Sequence, residues 1–303
     1  MNLMITLLGL SLAAVVYIAY RVRFWIKEGR KMEKGGYLPP PPTFFGNWAF
    51  RLATKLGCFL VVGPIKVIGR ENARNPGRLI VVPNHQFEFD FAVTAQAIPY
   101  AYRQLAVNSE VSGFRSAIAA WVGFVSVNGE HGKAKGKASA EAVIESGARI
   151  LTHDKAFLMF PQGILVRDNM LRKEEFRTGW IRILNRAAEN VGKEELSALP
   201  VGIVYHRDGK DATWFHRVAN RINFPGFLLR LLGFAGFRVW VSKVTNPAPG
   251  EPTKIVTKNY GATVVVGKPI PLKDLPADIH EATEVLRQAI QVEIDKAKAK
   301  KAA

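Results

Sequence analysis

The spacing of apolar positions divides the chain into three zones. Leu3 to Tyr20, LMITLLGLSLAAVVYIAY, is eighteen residues without a charge. As a helix it rises about 27 Å, close to the hydrocarbon thickness of a bilayer, so the pattern predicts an N-terminal transmembrane helix. From Ile65 onward short β-branched runs recur: IKVI, RLIVV (Arg78 to Val82), QLAV near Leu105, GFVSV (Gly123 to Val127), AFLMF before Pro161, LPVGIVY (Leu199 to Tyr205) and ATVVV near Val265. Helical spacing fills the gaps at Phe89 to Ile98, Ala138 to Leu151 and Glu174 to Asn190. This alternation predicts an α/β fold with a mostly parallel central sheet flanked by helices. In such a fold ligands gather at the carboxyl ends of the strands. The third zone, Asp278 to Ala303, reads as a helix with apolar Val285, Ile290 and Ile294 and a lysine-rich tail from Lys296, facing solvent or lipid.

Breaks in the pattern set the expected boundaries: 1–36 for the anchor and its flank, 37–64 for a linker and interfacial helices, 65–275 for the main domain, and 276–303 for the last helix and tail. Gly35-Gly36 and the run Pro39 to Pro42 exclude a helix and suit a stiff spacer. Thr43 to Val62 is aromatic and apolar with Arg51 and Lys55 interspersed, which predicts an interfacial helix pair packing on the membrane or on the domain. Ile222 to Trp240 carries two arginines in an otherwise Phe- and Leu-rich stretch and fits either core or a second patch dipping into lipid.

Charge then narrows the partners. Lys and Arg number 42 against 25 Asp and Glu, and the sequence pI is about 10.1, so the chain is drawn to polyanions. Arg21, Arg23, Lys27, Arg30, Lys31 and Lys34 follow the apolar run instead of preceding it. That order favours an anchor over a signal peptide, and the positive-inside rule places everything after it in the cytoplasm. The expectation is a single-pass membrane protein whose main partner is anionic lipid. Nucleic acid is not an expected partner, because the basic residues are not interleaved with an aromatic stacking platform. The single cysteine, Cys58, excludes an internal disulfide and a multi-cysteine zinc site.

Several chemistries are absent from the sequence: no G-x-G for a dinucleotide, no P-loop spacing near Lys135, no G-x-S-x-G elbow and no H-E-x-x-H. What stands out is VVPNHQFEFD, Val81 to Asp90, where His85 falls just past the end of a buried-looking strand and Asp90 lies five residues on. Five residues of regular helix leave two side chains about 140° apart, so the pair meets only if His85 sits in the turn before the helix. A carboxylate on one imidazole nitrogen frees the other to take a proton from an attacking hydroxyl.

In order along the chain, NHQFEFD, GFVSV, FPQG (Phe160 to Gly163), FRTGW (Phe176 to Trp180) and LPVGIVY resemble the glycerolipid acyltransferase family typified by lysophosphatidic acid acyltransferases, over roughly Ile65 to Tyr205. The resemblance implies transfer of a fatty acyl group from a CoA or acyl-carrier-protein thioester to a lipid hydroxyl. No other cofactor or metal is implied, His85 is the general base and Asp90 its orienting partner. It places Asn84, Phe160, Pro161, Gln162 and Gly163 at the substrate. The family's third block, F-P-E-G-T-R-S, matches only at Phe160, Pro161 and Gly163; its glutamate is Gln162, and its threonine and arginine are Ile164 and Leu165. The arginine that closes the family's second block falls at Gly129. Those two arginines hold the acceptor's phosphate in the family. Lys133, Lys135, Lys137, Arg167 or Arg177 are the expected replacements; otherwise the acceptor is a glycolipid, aminolipid or lipid alcohol without phosphate there, or the scaffold binds lipid without catalysis.

Overall fold

The computed structural model describes residues 2–34, 37–74, 77–87, 89–100, 102–107, 111–127, 129–130, 133–134, 136–154, 156–166, 168–207, 213–221, 242–243, 254–255 and 259–302. Its centre is an eight-stranded sheet of β1 (Ile65–Ile68), β2 (Arg78–Pro83), β3 (Arg103–Val107), β4 (Val125–Val127), β5 (Ala156–Leu158), β6 (Leu196–Tyr205), β7 (Ala262–Val266) and β8 (Ile270–Pro271). The order is β1-β7-β6-β2-β5-β3-β4, with β8 added to β6. Neighbours run parallel except where β7 and β8 meet β6. The expected mostly parallel α/β sheet is therefore present.

Strand β2 explains the layering. Its residues Leu79 to Pro83 are all buried, so it has no solvent face; Leu79 and Val81 enter one apolar core while Ile80 and Val82 enter the other. A strand buried on both sides reads as an unbroken apolar run because helices cover each face. On the first face lie α2 (Phe44–Val61) and α3 (Asp90–Ala97); on the second lie α5 (Gly136–His153), α6 (Gly179–Val191) and a long C-terminal helix. Completing the helices are α1 (Asn2–Met32), α4 (Phe114–Trp121), α7 (Trp214–Arg221) and that C-terminal helix, α8 (Ile279–Ala302). Helix α8 buries Ala282, Leu286, Ile290, Ile294 and Ala297, while Val285 is exposed. Its backbone crosses β6 so closely that a Cβ on Gly202 would lie 2.5 Å from Ile294 N.

Four expectations change. Among the described residues no helix is long and apolar enough to cross a membrane. Helix α1 does not end where its apolar run ends. It continues through the arginines to Met32, and this second half is docked on α4, with Trp25 and Met32 buried against Ala119 and Ala120. The predicted interfacial pair is one helix, α2. Thr43 Oγ1 caps it by accepting from Gly46 N at 3.0 Å, and Gly57, in place of a breaker, is where the ring of Phe89 packs against the helix. The proline run is no free spacer, because buried Arg103 donates to Pro39 O at 2.6 Å. The predicted helix over Glu174 to Asn190 begins only at Gly179, because Arg177 N is drawn to Pro161 O at 3.1 Å. The stretch Ile222 to Trp240 lies outside the described residues.

Candidate active site

Strands β6, β2 and β5 are adjacent and parallel, so their carboxyl ends open on one rim. Strand β2 stops at Pro83, which has no N–H to extend the ladder. The next residue extends it with a side chain: Asn84 Oδ1 accepts from Ile203 N at 2.7 Å, and Asn84 Nδ2 donates to Ile203 O at 3.0 Å. A side-chain amide thus substitutes for a peptide, and the main chain is free to turn at His85. Asn84, expected at the substrate, has both polar atoms engaged here and is buried.

His85 sits in that turn and Asp90 is the first residue of α3, so the two meet as regular helix spacing would forbid. Asp90 is fully buried, and Oδ2 accepts from His85 Nδ1 at 2.9 Å, Gln86 N at 2.5 Å and Phe87 N at 2.9 Å. Two peptide N–H groups and the start of a helix are aimed at this oxygen. Oδ1 accepts from the Tyr205 hydroxyl at 2.5 Å. The His85 ring stacks on Phe160 with centroids 4.1 Å apart and planes at 18°, and its side chain is 19% exposed. Among the described residues none bonds its Nε2. With Nδ1 directed at the carboxylate, Nε2 is the nitrogen left to work.

The FPQG bend holds this turn from behind. Gly163, at φ +61°, lets the chain reverse, with Gly163 N donating to Phe160 O at 3.2 Å. Gln162 is 1% exposed, and its Oε1 accepts from His85 N at 2.9 Å; Val166 N donates to His85 O at 2.7 Å. His85 is thus clamped on both sides of its own peptide. The expectation that Gln162 lines the acceptor side gives way to an inward-facing side chain that fixes the histidine backbone. Pro161 is buried and ties its carbonyl to Arg177 N.

The basic replacements are less gathered. Arg177 is half-buried, and burial pushes its guanidinium pKa below the usual range. Lys133 stands on a two-residue strand paired with Glu130, its side chain outside the described residues, as are Lys135, the side chain of Lys137, and Arg167. Two residues the sequence reading passed over belong to the site. Tyr205 is the hydroxyl at the carboxyl end of a strand whose other residues, Ser197 apart, are apolar or glycine, a signal that was available. Gln86 Nε2 donates to Ile203 O at 2.7 Å and to Asn169 Oδ1, tying the turn to the loop beyond FPQG.

A family model described as Acyltransferase matches residues 64–204, nearly the span over which the motifs run. Over this stretch the chain is similar to the acyltransferase family. No curated protein matches the chain. Among solved structures it is similar to the 1-acyl-sn-glycerophosphate (LPA) acyltransferase PlsC from Thermotoga maritima, at a TM-score of 0.53 and 14% identity over 84% of this chain and 81% of that one. At that identity the likeness speaks for the fold. The acyltransferase stretch supplies both sides of the His85 turn, from Asn84 to Gln162, but ends one residue before Tyr205.

Proposed function

We propose that this acyltransferase moves a fatty acyl group from a CoA or acyl-carrier-protein thioester to the hydroxyl of a lysophospholipid or related lipid. The observation that carries the reading is the 2.9 Å contact from His85 Nδ1 to Asp90 at the strand ends, with no bond to Nε2 among the described residues. Nε2 takes the proton of the acceptor hydroxyl as its oxygen attacks the thioester carbonyl carbon. The tetrahedral adduct collapses with loss of the carbon–sulfur bond, and the departing thiolate takes the proton back from the imidazolium. Buried, fourfold-bonded Asp90 stabilises that imidazolium throughout.

The test is His85→Ala in purified protein given an acyl-CoA and lysophosphatidic acid. Transfer falls by roughly 10³-fold or more if Nε2 is the base; wild-type turnover sinks the mechanism and favours a lipid-binding role. A second reading changes the acceptor to one without phosphate. It is favoured by Leu165 and Gly129 where the family carries its two arginines, and by Gln162 facing inward. A competition between lysophosphatidic acid and a lipid alcohol of equal chain length separates the two.

Peripheral contact with anionic lipid belongs to the same proposal. Helix α2 exposes Phe45, Trp48, Leu52, Leu56 and Phe59 along one side, and α1 exposes Arg23, Lys27 and Arg30 just past its apolar half, with Lys34 exposed two residues beyond its end. Apolar area beside cations suits an anionic membrane surface, and it brings the rim to where a lipid hydroxyl is found.

A further inference from the structure

The two oxygens of Asp90 are not equivalent. Oδ2 takes His85 Nδ1, Gln86 N and Phe87 N, all from the turn just before it. Among the described residues, Oδ1 takes one donor, the Tyr205 hydroxyl, from the far end of β6. A carboxylate pivots about its Cβ–Cγ bond through a broad well, and bonds gathered on one oxygen leave that pivot loosely set. A bond on the other oxygen sets it. The Tyr205 ring is itself buried and lies edge-on to Phe87, with centroids 5.6 Å apart and planes at 82°, so its hydroxyl has little freedom.

We infer that Tyr205 is a positioning residue for the His85–Asp90 pair, setting the carboxylate plane through Oδ1 and drawing negative charge away from the oxygen that faces the imidazole. Its catalytic meaning rests on the general-base role proposed for His85; its geometry does not. The titratable and charged groups around Asp90 are His85, Tyr205, Arg207 just beyond β6, and Cys58 on α2. Burial, and then the Asp90 charge, push the Cys58 thiol up, while Arg207 is lowered by burial against the pull of Tyr205 and Asp90. Of the four, His85 and Tyr205 touch the carboxylate, and Tyr205 can lose that contact with the removal of a single oxygen atom. Without the phenol, the carboxylate leans harder on the imidazolium, and His85 keeps its proton to higher pH.

The experiment follows the Cε1 proton of His85 by NMR, assigned by its loss in His85→Ala. In Tyr205→Phe the titration midpoint is expected to rise by about half a pH unit. Transfer from an acyl-CoA to lysophosphatidic acid is expected to show its acid limb moving the same way, with kcat down about tenfold and KM little changed. A folded Tyr205→Phe protein whose His85 midpoint and acid limb stay in place overturns the inference. Should that variant not fold, 3-fluorotyrosine installed in place of Tyr205 keeps the shape and donates more strongly. It is expected to lower the midpoint, and a rise or no change there overturns the inference equally. Wild-type transfer by His85→Ala would instead overturn the proposed function, leaving the titration to decide the geometry alone.

Discussion

The rim at the ends of β6, β2 and β5 and the outer side of α2 lie in one protein and follow opposite rules. At the rim both side-chain polar atoms of Asn84 and both oxygens of Asp90 are bonded, and apart from His85, which is 19% exposed, the residues that bond them are buried too. On α2 large aromatic and aliphatic side chains stand in the open with no polar partner to satisfy. Proton transfer needs atoms held to a fraction of an ångström, which buried hydrogen bonds provide because leaving any one unmade is costly. Adhesion to a fluid surface needs only area and sign of charge. A substitution at the rim therefore changes geometry; one on α2 changes affinity.

The sharpest way to break the contrast is Asp90→Asn. An amide offers one acceptor where Asp90 offers two, so it cannot serve donors on both oxygens, and the imidazole loses the charge beside Nδ1. Turnover is expected to fall by about 10³-fold or more, measured as acyl transfer. A loss below tenfold would mean the carboxylate is structural.

Next in size is Gln162→Leu, which leaves the His85 N–H without its acceptor at a buried position. The melting temperature is expected to drop in line with roughly 1–3 kcal/mol. Turnover should fall further than that loss of folded protein explains. Unchanged activity would show that the FPQG clamp does not hold the histidine.

On the other side of the comparison, Phe45→Ser with Trp48→Ser removes two exposed aromatics that each contribute roughly 1.5–3 kcal/mol when buried, so vesicle binding should weaken at least tenfold. Melting should hardly move, and transfer to a short-chain, water-soluble acceptor should stay within about twofold. Smallest is Lys27→Glu with Arg30→Glu, expected to weaken binding to phosphatidylserine vesicles by about 1 kcal/mol per residue while leaving neutral vesicles unaffected. Equal loss on both vesicle types would assign those side chains to packing.

Much of this was legible in the chain. The β-branched runs of β1, β2, β6 and β7, and the helices α3, α5 and α8, lie close to where their spacing put them. Each is a local pattern whose period a single segment carries. His85 and Asp90 were legible as chemistry, since a histidine after a strand-ending Pro83 and a carboxylate at a helix start are both local features.

What local pattern could not carry is contact between distant segments. Eighteen uncharged residues describe a helix suited to lipid, but whether α1 stops there depends on α4, more than eighty residues away, offering a surface to Trp25 and Met32. Gln162 faces inward because His85, 77 residues earlier, presents an unpaired N–H at that point. Tyr205 meets Asp90 because β6 lies beside β2 in one register. The sequence by itself determined the period of each element and the residue types available for proton transfer, because propensity and burial act over a few neighbours. Only the tertiary structure decided which of those residues face one another, because sheet register is set by the packing of both faces at once.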